Sequence, residues 1–381
     1  MKQGIRVAFI GVSCLELVMG ILEMCNYELP LKRIILWGFF VVYLINLWGN
    51  DYTKAEMAAF VVTIVLGILL YANTGINTGI KAPVYIMALK GIDRRKLLQC
   101  FLWTSVLVAI IIMIGALFFG IGDVHFWVRT KTKGISKACF CLGFSNPNRL
   151  QLLIFSMLSC FLLLYGRNSS RIVLVSVGAA YFIMAYLTDC KTGMMIGIFA
   201  LVAVICVRRV NTAHLSDWIM ALFTIGLVFM LIISFLAAAK VEKGFWMEQI
   251  NRFISGRMNQ LEYYTNEEFY NLPYLDSWKL FSDRNNKNGY DMGYIYIFYY
   301  YGIIMGAVYL AFVVNAVEKA RRKKDSLGMV LIMGLCIYLF METGYYSNYL
   351  TRDFLLMTSA VVLWGDYEET IHKHIQPDYS N

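Results

Sequence analysis

Apolar runs long enough to cross a bilayer recur along almost the whole chain, and nothing else in the sequence limits the fold so tightly. A helix needs about 20 apolar residues to span the hydrocarbon core, and within that core only helices or closed barrels satisfy their own backbone groups. Runs of this kind lie near 5–25, 31–49, 57–75, 97–121, 148–166, 171–188, 192–209, 215–238, 291–317, 327–345 and 351–365. The segment 77–92 is apolar but short and carries Lys81 and Pro83, so it either crosses or re-enters. Composition agrees: only 15% of residues are charged and 59% are hydrophobic, against about 25% charged in an average soluble domain. The expectation is an all-α integral membrane protein with about eleven or twelve transmembrane helices, forming one polytopic domain over residues 1–381. Lys2 and Arg6 precede the first run, but Glu16 and Glu23 interrupt it and no small-x-small cleavage site follows. It therefore reads as a first span rather than a signal peptide.

The net charge of +9 would suit nucleic acid if it were spread over a soluble surface. Instead, Lys and Arg sit in short clusters between apolar runs, which excludes a nucleic-acid partner and makes the lipid bilayer the first partner. Arg94–Lys96, Arg167 with Arg171, Arg208 with Arg209, and Lys319–Lys324 mark loops on the cytoplasmic side. The tail 366–381 falls on that side as well, and a basic N-terminus there favours twelve spans. Two longer loops then face outward, 122–147 and the large external loop 239–290. Long connections without low complexity are often functional.

Nine cysteines form no disulfide framework. Cys139 and Cys141 make a lone CxC with no second ligand pair, so neither a metal nor a cofactor is expected. The chain also lacks a P-loop, a dinucleotide fingerprint, an HExxH pair and a GxSxG elbow.

The outward loops carry cations against the usual insertion bias: Arg129, Lys131, Lys133 and Lys137, then Arg149. They are either simply solvated or part of an anion site. Gly143-Phe144-Ser145-Asn146-Pro147-Asn148-Arg149 reads as a helix start, with Asn146 as N-cap and Pro147 at the first helical position. A helix N-terminus attracts phosphate, and Arg149 adds charge beside it. In the second loop Asn251-Arg252-Phe253-Ile254-Ser255-Gly256-Arg257 places an arginine after a small Ser-Gly pair. A guanidinium is suited to bidentate contact with phosphate oxygens. Asp291 opens the next span, either as a cap or as a functional acid, and Tyr294 leads a tyrosine-rich stretch. Glu342 lies in an apolar run, where an ionisable group is costly and a candidate by default. Glu16 carries the same ambiguity, and Asp189-Cys190-Lys191 reads as a loop tip.

Taken in order, GFSNPN at 143–148, NRFISGR at 251–257, YDMGYIYIFYYYGI at 290–303 and LFMETGYYSN at 339–348 resemble the O-antigen polymerase (Wzy-like) family and the related O-antigen ligase superfamily. Met292 stands where the family usually has asparagine, and for the arginine commonly found just before the GF pair Lys137 or Arg129 is the substitute. The resemblance implies a GT-C-like membrane glycosyltransferase in the bacterial cytoplasmic membrane. It would join undecaprenyl-diphosphate-linked oligosaccharides at the outer face, without a metal, and could work with a chain-length regulator. It also implies Arg257, Asp291 and Glu342 as catalytic residues, and Arg129, Arg149, Asn148, Asn251 and Tyr294 as substrate-binding ones. Within the superfamily the alternative is a ligase; outside it, a transporter, whose polar groups would line a midplane path in two related halves.

Overall fold

The computed structural model describes residues 2–27, 29–129, 136–210, 214–239, 244–253, 256–259, 275–283, 292–343 and 349–365. Asp291, the tail 366–381 and most of the loop 239–290 lie outside the described residues, as does the side chain of Arg129.

The first half runs α1 (Lys2–Met24), α2 (Lys32–Trp48), α3 (Lys54–Thr74), α4 (Thr78–Ala88) and α5 (Arg94–Phe119). A short hairpin follows, β1 (His125–Arg129) against β2 (Ser136–Phe140), and then α6 (Pro147–Tyr165), α7 (Arg171–Leu187), α8 (Lys191–Arg209) and α9 (Leu215–Ala238). The chain closes with α10 (Phe245–Phe253), α11 (Gly293–Tyr300), α12 (Ile303–Arg322), α13 (Ser326–Met341) and α14 (Phe354–Trp364). Among the described residues seven helices are long and apolar enough to cross a membrane: α1, α3, α5, α6, α8, α9 and α12. The protein is an all-α, multi-pass membrane protein.

Apolar side chains divide by position rather than by type. Nearly every residue of α11, α13 and α14 is buried, so these helices form the centre of the bundle, with α6, α8, α9 and α12 packed around α13. The outer helices turn apolar side chains outward instead; Ile172 is 78% exposed and Phe118 76%. Such a surface is stable only against hydrocarbon.

In lipid, helix association depends on close packing at small residues rather than on hydrophobic burial. Pro83 inside α4 has no N–H to give the carbonyl of Gly79 one turn earlier. Gly67 of α3 lies against that carbonyl so closely that a β-carbon at Gly67 would collide with it. The approach suits a Cα–H contact to the freed oxygen. With eleven residues, α4 is roughly 16 Å long, about half the thickness of a hydrocarbon core.

The helix ends sort onto two faces. On one, Arg94 pairs with Asp325 at 3.1 Å, Arg321 with Asp217 at 2.7 Å and Lys90 with Glu56 at 2.6 Å. Arg208 donates to the carbonyls of Gly166 and Ser169, and Lys323 to that of Gly365. The basic clusters read from the sequence therefore share one face. On the opposite face, the Ser145 amide donates to the Met24 carbonyl at 3.0 Å, and Arg352 pairs with Glu23 at 2.9 Å.

The structure differs from the expected spans in three places. The run 291–317 is two helices, α11 and α12, broken at Gly302, which takes a φ of +86°. There the amides of Ile303 and Ile304 donate to the carbonyls of Lys279 and Leu280, so a loop strand docks into the break. The run 327–345 stops at Met341, leaving Glu342 in extended backbone at the helix C-cap. The last helix begins at Phe354, not 351, because Asp353 caps it by accepting from the Leu356 amide at 2.9 Å. Apart from the spans, the loop 122–147 holds the hairpin, paired antiparallel from His125 opposite Phe140 to Arg129 opposite Ser136.

Candidate functional site

The start of α6 forms as its residues dictate. The Asn146 side chain accepts from the Arg149 amide at 2.9 Å and Pro147 occupies the first turn. This sets Asn148 and Arg149 side by side at a positive helix end, facing two different charged clusters.

The first cluster is built on Glu342. A carboxylate at a helix C-terminus meets the negative end of the dipole and needs a cation nearby. Arg257 supplies it: its Nη2 donates to Glu342 Oε1 in a short, buried ion pair, with Arg257 8% and Glu342 6% exposed. Asn148 Nδ2 donates to the same oxygen at 3.2 Å. Three segments far apart in sequence thus meet on one atom. Asn251, at the end of α10, holds the arginine turn in place. Its carbonyl accepts from the Gly256 amide at 2.7 Å and its side-chain oxygen from the Met258 amide at 3.0 Å. Gly256 has a φ of +76°, which lets the chain reverse before Arg257. Cys190, capping α8, lies within reach of the pair. Burial pushes its thiol up to about 12, Glu342 adds to the rise and Arg257 opposes it.

The second cluster was not legible as such in the sequence. Glu23 accepts from Lys32 at 2.5 Å and from Arg352 at 2.9 Å. Arg149 lies beside it, donating to Asn26 at 3.1 Å and to the carbonyls that end α1. Arg352 is only 6% exposed, and its Nε is buried without a hydrogen-bond partner among the described residues. Burial pulls its pKa down to about 10; Glu23 resists that fall and the neighbouring Arg149 adds to it. Among the described residues, three cations here face one carboxylate. Lys32 and Glu23 are spaced like ordinary interfacial residues, and Arg352 sits at the edge of an apolar run, so only the folded chain brings them together.

Behind this cluster, Glu16 is buried inside α1. It accepts from the Tyr43 hydroxyl and from the Leu350 amide at 3.0 Å. Glu16 thereby anchors the turn Leu350–Arg352, and through it Arg352.

The remaining sequence candidates are placed apart or lie outside the described residues. Tyr294 is fully buried, its hydroxyl donating to the Cys336 carbonyl at 3.1 Å, so it packs the centre of the bundle. The Arg129 backbone belongs to β1, while its side chain and all of Asp291 lie outside the described residues. Asp189 and Cys190 lie in the turn between α7 and α8, and Lys191 opens α8.

No family model, curated protein or solved structure matches this chain.

Proposed function

We propose that the chain polymerises polyprenyl-diphosphate-linked oligosaccharide repeat units into a cell-surface polysaccharide, at the outer face of a bacterial cytoplasmic membrane. The observation that carries this reading is the meeting of Arg257, Glu342 and Asn148 on one oxygen, at the end of the bundle opposite the basic face. Counting α4 as a short crossing, and α11 with α12 as one broken span, gives twelve crossings. Both chain ends then lie on the basic, cytoplasmic side. Loop 239–290 falls outside, where a lipid-linked glycan would be presented, in a GT-C-like arrangement.

The chemistry follows from charge. When the acceptor hydroxyl attacks the donor's anomeric carbon, the bond from that carbon to the diphosphate oxygen breaks and the leaving group gathers negative charge. A cation already held in a dry site stabilises that charge without reorganising. Arg257 is held in this way, by Glu342 and by the turn that Asn251 ties. An arriving diphosphate takes over the guanidinium, and the released Glu342 carboxylate accepts the acceptor's proton. Arg149 and Arg352 extend the positive field along the same face.

The test is transfer by purified protein supplied with lipid-diphosphate oligosaccharide and no ion gradient. New glycosidic bonds between repeat units support a polymerase. Transfer of a finished glycan onto a different acceptor would replace it with a ligase, and movement of substrate without bond formation with a transporter.

A further inference from the structure

We infer that the basic face carries a built site for the phosphate headgroup of an anionic phospholipid, in a recess between α7, α8, α9 and the start of α13. The recess has a volume of about 790 Å³. Arg167, Arg171, Arg208, Arg209 and Lys324 line it, and no acidic residue does so among the described residues. A pocket of one sign, with low-dielectric walls, concentrates counter-ions.

The apolar part of the lining favours a lipid over a soluble anion, and two further features show that the cations are placed in advance. Leu174, Val175, Ile205 and Leu215 form part of the lining. Val175 is 70% exposed and Ile205 44%, so the apolar wall runs on into the outer surface of the bundle, where acyl chains lie. Arg208 is clamped by the carbonyls of Gly166 and Ser169, each at 2.5 Å, which fixes one cation at the rim without spending its entropy on binding. Lys324 stands in left-handed backbone, φ +56°, where α12 ends with the Asp325 amide on the Ala320 carbonyl at 2.8 Å. Glycine takes that conformation freely and a residue with a β-carbon does not. A lysine there accepts strain while bringing a charge to the recess. Basic pockets between helices are how membrane proteins hold anionic headgroups.

The experiment uses full-length protein stripped of lipid and placed in phosphatidylcholine nanodiscs with increasing phosphatidylglycerol. Retained lipid is read by native mass spectrometry. The test variant is R171Q/R209Q/K324Q, three exposed residues that leave the Arg208 clamp intact. The control, K54Q/R95Q/K96Q, removes the same charge from exposed positions of the same face outside the recess. Saturable phosphatidylglycerol binding that weakens on the order of a hundredfold in the test variant, and little in the control, is the expected result. Equal weakening in both variants would reduce the effect to general surface charge and overturn the site. Soluble glycerophosphate displacing the lipid at comparable concentration would overturn the lipid assignment. A correctly folded test variant is recognised by unchanged elution and thermal midpoint in phosphatidylcholine alone.

Discussion

Replacing Glu342 with glutamine leaves the Arg257 guanidinium buried beside a neutral partner. Breaking one side of a buried ion pair typically costs about 3–5 kcal/mol, since the other charge remains in a poor solvent. Two local terms shift this. Removing a carboxylate from a helix C-cap relieves about 0.3–1 kcal/mol of unfavourable dipole interaction. The Asn148 contact to the same oxygen can survive, since the glutamine oxygen still accepts. The net loss is roughly 2–4 kcal/mol, which at about 2 °C per kcal/mol lowers the unfolding midpoint by about 4–8 °C. Arg257→Met, which removes the guanidinium from the carboxylate instead, should cost a similar amount. The informative variant joins them: Arg257→Met with Glu342→Leu removes both charges and should recover stability to within about 1 kcal/mol of the parent. The assay pairs a thermal melt of purified protein, with scan rate held constant because membrane proteins often unfold irreversibly, with polysaccharide length in cells. If the pair acts on substrate, the double variant is stable and makes no polymer. A stable double variant that still makes full-length polymer would refute the mechanism and leave the pair as a structural tie between the loop and α13.

Asn251→Ala removes the side-chain acceptor for the Met258 amide and should cost about 1 kcal/mol, with a larger loss of polymer yield because the arginine turn loosens. Polymer yield falling no further than stability does would remove Asn251 from the positioning role. Gly67→Ala drives a methyl into the Gly79 backbone and should destabilise by about 1–3 kcal/mol, read by the same melt; an unchanged midpoint would mean that α3 and α4 pack more loosely than described. For the twelve-crossing topology, single cysteines at Asp51 and Arg95 in a cysteine-free background should react with impermeant maleimide from the same side of sealed vesicles, and one at Asp123 from the other. Labelling of Asp51 from the side that labels Asp123 contradicts that count.

Hydropathy made the spans legible because crossing length is a property of single segments. Asn146-Pro147 also announced its helix start, since a cap is decided by neighbours in sequence. Span boundaries failed where tertiary contacts decide them. The break at Gly302 depends on carbonyls of Lys279 and Leu280 arriving from another loop, and the end of α13 at Met341 goes with Glu342 turning toward Arg257. Arg257, Glu342 and Asn148 could each be singled out for residue type and setting, but not their convergence. Arg352 was missed because an arginine at the edge of an apolar run looks like an interfacial anchor, and its partner Glu23 lies 329 positions away.

The distribution of charge gives the two outward clusters a meaning that neither has alone. Cations on the basic face assist insertion. Those at the opposite end work against insertion, yet Arg149, Arg257 and Arg352 all gather there, at the positive terminus of α6. Two are buried, so solvation does not explain them. Carboxylates offset part of the cost: Glu342 pairs Arg257, while among the described residues Glu23 serves both Arg352 and Lys32. A second internal carboxylate, Glu16, is committed to holding the turn that carries Arg352. A bundle selected only for stability would replace such groups with packed aliphatics, which are often the more stable choice. On the proposed topology, an arrangement that uses buried carboxylates to keep guanidinium groups at this helix end is suited to an anion that arrives from outside and leaves again. A phosphate diester or diphosphate meets that description, and a neutral sugar alone does not.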